Sequence, residues 1–158
     1  MLSIVPFDDT HALAFFAMNK AWIEENFTLE PLDISVLSEP RKYIIDAGGE
    51  IWCAVKDGKA IGCYALLHTH NTLGEKLLEF TKFAVDTHYR GEGAGKALFA
   101  HALARAKAIG VSELILYTST HQARAVAMYY AAGFVSVPMD EANKARYARA
   151  NLFMRKTL

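Results

Sequence analysis

The seven residues Arg90-Gly91-Glu92-Gly93-Ala94-Gly95-Lys96 constrain this chain more than any others. They lie between a strand-like apolar run, Leu77–Val85, and a helix-like one, Ala97–Ile109. Three glycines let the backbone turn tightly, and the N–H groups that open the following helix have no intrahelical acceptor. A strand, a glycine-rich turn and a helix in that order form a ready-made anion site. The turn therefore points to a phosphate-bearing ligand.

Two familiar phosphate loops fit it poorly. A P-loop needs Gly, four residues, then Gly-Lys-Ser/Thr. Counted back from Gly95-Lys96, the first position is Arg90, and Ala97 follows the lysine, so no hydroxyl is placed for magnesium. The dinucleotide pattern G-x-G-x-x-G takes Gly91 and Gly93 but then meets Lys96. It also belongs after the first strand of a βαβ unit, whereas this turn follows the fourth strand expected here.

The periodicities around the turn give the order of elements. Ser3–Phe7 reads as a strand, and residues 8–26 carry apolar positions at helical spacing, with Asp8, Asp9 or Thr10 as cap. Residues 33–46 suggest one or two short helices, with Pro40 in a first turn and Gly48-Gly49 closing the segment. Ile51–Val55 and Ala60–Leu67 alternate around Lys56-Asp57-Gly58-Lys59, a strong hairpin signal. A polar loop, His68–Glu75, leads to the strand Lys76–Val85. Alternation there would set Glu79, Thr81 and Phe83 opposite Leu78, Phe80, Lys82 and Ala84; Lys82 among apolar residues hints at a bulge. Leu98, Ala102, Ala106 and Ile109 mark a helix ending at Gly110. Strand Glu113–Thr118, helix Ala123–Ala132 and strand Phe134–Val137 follow, then a loop over 138–150 and a final strand, Leu152–Lys156. Hairpins occupy the middle and strand–helix alternation the second half, which predicts an α+β fold with a mixed sheet.

Composition excludes several classes. The 158 residues suit one domain spanning 1–158, with 53% hydrophobic and 22% charged residues. Seventeen basic residues balance seventeen acidic ones without a basic run, which disfavours nucleic-acid binding. No apolar stretch nears the roughly 20 residues of a bilayer span, and no signal peptide opens the chain, so no membrane partner and a cytoplasmic location are expected. Cys53 and Cys63 fall in expected strands and read as small core residues; a disulfide would be unusual in that compartment. His68, His70, His88 and His121 fall in expected loops without metal-ligand spacing, so no metal is expected.

The pattern R-x-x-G-x-G fits Arg90, Gly93 and Gly95 without exception, and A-x-x-x-Y-x-x-x-G-F follows as Ala125, Tyr129, Gly133 and Phe134. Together they resemble the GCN5-related N-acetyltransferase (GNAT) superfamily. The likeness covers nearly the whole chain. Phe27-Thr28-Leu29-Glu30-Pro31 and Asp33, Leu37, Pro40, Tyr43 and Ile44 are similar to the front half of a small bacterial single-domain subgroup. So are Gly49-Glu50-Ile51, Glu79-x-x-Lys82-Phe83-Ala84-Val85, and Tyr147, Arg149, Asn151 and Met154 near the end. Where the superfamily commonly has Asn three residues before the helix alanine, this chain has Gln122.

The resemblance implies a centrally splayed sheet flanked by helices, in the order β-α-α-β-β-β-α-β-α-β-β. It implies acetyl-CoA as co-substrate and direct transfer to a primary amine of a small molecule or peptide in a ternary complex. Phe83, Ala84 and Val85 would pair with the cofactor's amide arm, and Gly91, Glu92, Gly93, Ala94, Gly95, Arg90 and Lys96 would hold its pyrophosphate, with Gln122 as a further contact. Tyr129 is the candidate acid, since a phenol of pKa about 10 stays protonated at neutral pH; a core tyrosine is the plain alternative. Glu79 is the candidate base if burial raises its pKa; otherwise it pairs with Lys82 or binds the substrate ammonium. Tyr147 and Arg149 would meet the acceptor, Arg149 binding a substrate carboxylate by a bidentate fork; a surface ion pair is the alternative for Arg149. A non-catalytic acyl-CoA-binding module, a protein N-acetyltransferase and a homodimer stay open.

Overall fold

The computed structural model describes residues 1–141 and 144–158. Its elements are β1 (Leu2–Pro6), α1 (Ala12–Asn26), α2 (Pro31–Ser38), β2 (Glu50–Lys56), β3 (Lys59–His70), β4 (Lys76–Val85), α3 (Ala94–Ile109), β5 (Glu113–Thr118), α4 (Ala123–Ala131), β6 (Val135–Val137) and β7 (Leu152–Thr157). The order is the expected one. Residues 142 and 143 of the long loop expected over 138–150 lie outside the described residues.

Local chemistry accounts for most boundaries. Asp8 accepts the Thr10 N–H at 2.8 Å and caps a short 3-10 turn that runs into α1. Pro31 opens α2, and a π-helical turn, Arg41–Ile45, follows Pro40. Asp57 and Gly58 both have positive φ, 51° and 77°, as the tight β2–β3 hairpin requires. Gly110 closes α3 in the left-handed region, φ 89°.

Seven strands form one sheet in the order β1-β2-β3-β4-β5-β7-β6. All neighbours are antiparallel except β4 and β5, whose parallel ladder has two pairs, Leu78 with Leu114 and Glu79 with Ile115. Beyond Glu79 the two strands part, so β4 runs on to Val85 with a main-chain edge that β5 does not cover. This is the splay. β3 is longer than expected, reaching His70, so His68 and His70 stand exposed on a strand rather than in a loop. Its run Ala60–Leu66 is buried throughout, as befits a central strand covered on both faces.

Two apolar clusters sandwich the sheet. One joins Leu98, Phe99 and Ala102 of α3 and Tyr129 of α4 to Tyr64, Leu78, Phe80, Leu114 and Leu116 of the strands. The other joins Phe15, Met18 and Ile23 of α1 and Leu37 of α2 to Ile51, Cys53, Cys63 and Ala65. Cys53 and Cys63 face each other across β2 and β3 as buried free thiols, and desolvation pushes Cys53 up to about 12. They are inert core residues.

Among the described residues, no helix is long and apolar enough to cross a membrane, and no three His, Cys, Asp or Glu side chains gather as a metal site.

Candidate active site

The parting of β4 and β5 opens a cavity of about 550 Å³ that runs from the glycine turn before α3, past Tyr129, to Glu79 and the loop before β7. Of the residues expected at the site, Glu79, Phe83, Ala84, Val85, Arg90, Gly91, Ala94, Gly95, Lys96, Gln122, Tyr129, Tyr147 and Arg149 all line it. Glu92 and Gly93 belong to the turn but not to the wall.

At the α3 end the wall is backbone. Gly91 and Gly93 sit at φ 81° and 91°, where L side chains are strained, and a Cβ added to either would meet open space. The first intrahelical bond of α3 runs from the Ala97 N–H to the Gly93 carbonyl at 3.0 Å. Ala94, Gly95 and Lys96 therefore present N–H groups that the helix leaves without acceptors. That concavity, with the cations of Lys96 and Arg124 also lining the cavity, fits a pyrophosphate. Arg90 does not reach in as a free charge: its guanidinium donates to both oxygens of Glu25, each at 3.0 Å, tying the turn to the end of α1. Glu92 accepts from Lys56 at 2.7 Å, an exposed pair.

Gln122 takes the N-cap position of α4 without a capping bond from its side chain. At the other end of that helix, Gly133 turns at φ 97° and the Phe134 N–H donates to the Tyr129 carbonyl at 3.0 Å. The Tyr-x-x-x-Gly-Phe spacing is thus a helix stop, and it packs Phe134 at 5.9 Å, ring to ring, beside Tyr129. Tyr129 is 5% exposed, and burial holds its pKa above the ordinary phenol value. Its hydroxyl stays protonated at any working pH.

At the far end the wall is charged side chains. Lys82 has φ 55°, and Lys82 and Phe83 together oppose the single residue Tyr64, so the expected bulge is present. It reverses the alternation. Phe80 and Phe83, which strict alternation would separate, come within 5.2 Å ring to ring. Glu79 and Lys82, also expected on opposite faces, both turn toward the loop before β7. Glu79 meets Arg146 at 3.4 Å, and desolvation raises its pKa against the pull of Arg146 and Lys82. The Lys82 Nζ donates to the Tyr147 hydroxyl at 3.1 Å and lies 4.7 Å from its ring centre.

Arg149 has its fork filled from within the chain. It donates to the two oxygens of Asp33 at 2.7 and 2.8 Å and stacks 4.3 Å from the Tyr147 ring. Asp33 is fully buried and also accepts the Glu30 N–H at 2.9 Å, while Glu30 accepts the Ala148 N–H at 3.1 Å. The start of α2 and the loop before β7 are clamped together over the cavity. This partly buried pair is neither the surface ion pair nor the free carboxylate fork expected from sequence.

Lys82, Arg124, Arg146, Asp33 and Glu30 had no assigned site role in the sequence reading. Lys82 carried a signal there as a cation in an apolar strand, and Glu30 and Asp33 as members of the resemblance motifs; Arg124 and Arg146 carried none.

The acetyltransferase (GNAT) family matches residues 8–134. Human N-acetyltransferase 8 is 33% identical over 121 residues, covering 76% of this chain and 52% of the relative. Human N-acetyltransferase 8B is 33% identical over 134 residues, covering 84% and 56%. The chain thus spans about half the length of the curated relatives it matches. A GNAT-family acetyltransferase from Staphylococcus aureus shares the fold at TM-score 0.85 and 17% identity over 99% of both chains. The phosphinothricin acetyltransferase of Sinorhizobium meliloti, solved with acetyl-CoA, does so at 0.77 and 18% over 99% of this chain and 88% of that one. With the family match spanning the glycine turn, the splay and the α4 stop, this chain belongs to the acetyltransferase (GNAT) family.

Proposed function

We propose that the protein is an N-acetyltransferase that moves the acetyl group of acetyl-CoA to a primary amine by direct transfer in a ternary complex. The observation that carries this reading is the continuous cavity with a phosphate-fitting turn at one end and an ionisable carboxylate at the other, Tyr129 between them. When bound, acetyl-CoA supplies the activated acetyl group. The chain supplies the rest. Gly91 and the N–H groups opening α3 hold the pyrophosphate, and the uncovered edge of β4 at Phe83–Val85 pairs with the amide arm as a strand would. A main-chain N–H there polarises the thioester carbonyl.

Glu79 takes the proton from the acceptor amine, directly or through water. Its raised pKa brings it nearer the acidity needed to act as a base. Tyr129, kept neutral by burial, donates to the departing sulfur. Tyr147 lines the acceptor end, and Arg149 acts there through Asp33, holding the loop before β7 in place. The motifs Phe27–Pro31 and Tyr147–Met154 favour a small bacterial single-domain subgroup within the family.

The test is acetyl-CoA binding followed by thiol release across an amine panel. At 100 times its dissociation constant acetyl-CoA should stabilise the fold by about 2.7 kcal/mol, read as a thermal shift. Repeated turnover, with more than one thiol released per chain, should then require an added amine. Binding without release from any amine would leave a non-catalytic acyl-CoA module.

A further inference from the structure

Lys82 differs from the chain's surface lysines in three ways. It is partly buried in the cavity wall, its backbone sits in the left-handed region at φ 55°, and its Nζ is held by a neutral group, the Tyr147 hydroxyl, at 3.1 Å. No ion pair among the described residues neutralises it, although Glu79 and Arg149 line the same cavity. A non-glycine residue in that backbone region persists only where its surroundings hold it, and such outliers gather at functional sites. Here the bulge brings an amine to the face that carries Glu79, and Lys82 immediately precedes Phe83, where the thioester would lie.

We propose that Lys82 is a self-acetylation site, an internal amine acetylated when no acceptor occupies the cavity. The inference rests on acetyl-CoA delivering its acetyl group along β4, as proposed above. The neutral Nζ attacks the thioester carbonyl, an N–C bond forms and the C–S bond breaks. The proton leaving nitrogen is taken up by the site's base, Tyr129 gives a proton to the departing sulfur, and the coenzyme leaves as its free thiol; proton return from the base restores Tyr129. The product is a neutral amide in place of the lysine ammonium, set in the space an acceptor would use, so the modification competes with turnover.

The surroundings make the neutral amine easier to reach than on a surface lysine. Burial lowers Lys82 to about 8, with Asp33 of α2 and Glu79 of β4 pulling it up and Arg149 and Arg146 of the loop before β7 pushing it down. Tyr147, raised to about 12 by burial, stays a neutral partner throughout that range.

The experiment incubates the full chain with acetyl-CoA and no amine, follows thiol release, and maps acetylated peptides by mass spectrometry. The expected result is one acetyl group per chain, on Lys82, at a rate per chain independent of protein concentration. That rate should rise about tenfold between pH 6 and 7 and level off above about pH 8, whereas a surface lysine near 10.4 would keep gaining. Lys82→Arg should lose the mapped modification. Because mapping is done on the unaltered chain, the outcome does not depend on that variant folding. Acetylation of an added amine with Lys82 left unmodified in the amine-free reaction would overturn self-acetylation and leave the enzyme reading intact. Even labelling of Lys56, Lys96 and Lys82 would also overturn it. Absence of both a thermal shift and thiol release would overturn the enzyme reading and this inference together.

Discussion

At the α3 end of the cavity the wall is mainly main chain from one short segment: left-handed Gly91 and the N–H groups of a helix start, which left-handed Gly93 sets from behind the wall, all within 91–96. At the other end it is side chains from distant segments, Glu79 and Lys82 of β4 with Arg146, Tyr147 and Arg149 of the loop before β7, and that loop is held from behind by Asp33 of α2 and by Glu30 just before it. On the proposed reading the first end holds a phosphate, whose charge and shape do not vary, so backbone donors suffice. The second is held by charged pairs between the start of α2 and the loop before β7, outside the sheet. Specificity can change there while the cofactor end stays as it is.

The sharpest way to break this contrast is Asp33→Ala. It leaves the Arg149 guanidinium partly buried without its main partner, which should destabilise the chain by about 3 kcal/mol in urea unfolding. Acceptor KM should rise while acetyl-CoA affinity is kept. An equal loss of acetyl-CoA affinity would show that the two ends are not independent.

Glu79→Gln comes next, with kcat expected to fall about 100-fold. The carboxylate must be ionised to accept a proton, and its pKa is raised by burial. The wild-type rate should therefore fall as pH drops through that raised value, sooner than for an ordinary carboxylate near 4.3. The variant should lack this acid limb. A raised acceptor KM with kcat preserved would instead assign Glu79 to binding the ammonium.

Gly93→Ala should be the mildest. Placing a side chain at φ 91° costs about 1 kcal/mol, and the distorted turn should weaken acetyl-CoA binding about fivefold, read by thermal-shift titration. The acceptor KM should not follow.

Legibility in the sequence tracks distance along the chain. The Asp57-Gly58 hairpin, the stop at Gly110 and the cap at Asp8 each depend on a few neighbouring residues, and each stands where their chemistry puts it. The β3 extension to His70 was not legible, because it rests on cross-strand pairing of His68 with Leu78 and His70 with Lys76 rather than on alternation within the strand. The π-helical turn after Pro40 carried no signal distinguishing it from an ordinary helical turn. At the site, Lys82 was visible as an anomaly, but which side the bulge would send it to was not.

By itself, then, the sequence determined the order of elements, the glycine-rich turn and the helix stop that sets Tyr129, because each is a short-range property of backbone conformation and hydrogen-bond supply. Only the tertiary structure decided that Arg149 is clamped by Asp33, that Arg90 is held by Glu25, and that Lys82 shares a face with Glu79. Those pairings join residues 65 or 116 positions apart, or turn on one extra residue in a strand, and charge alone does not say which partner it will meet until the sheet has brought them together.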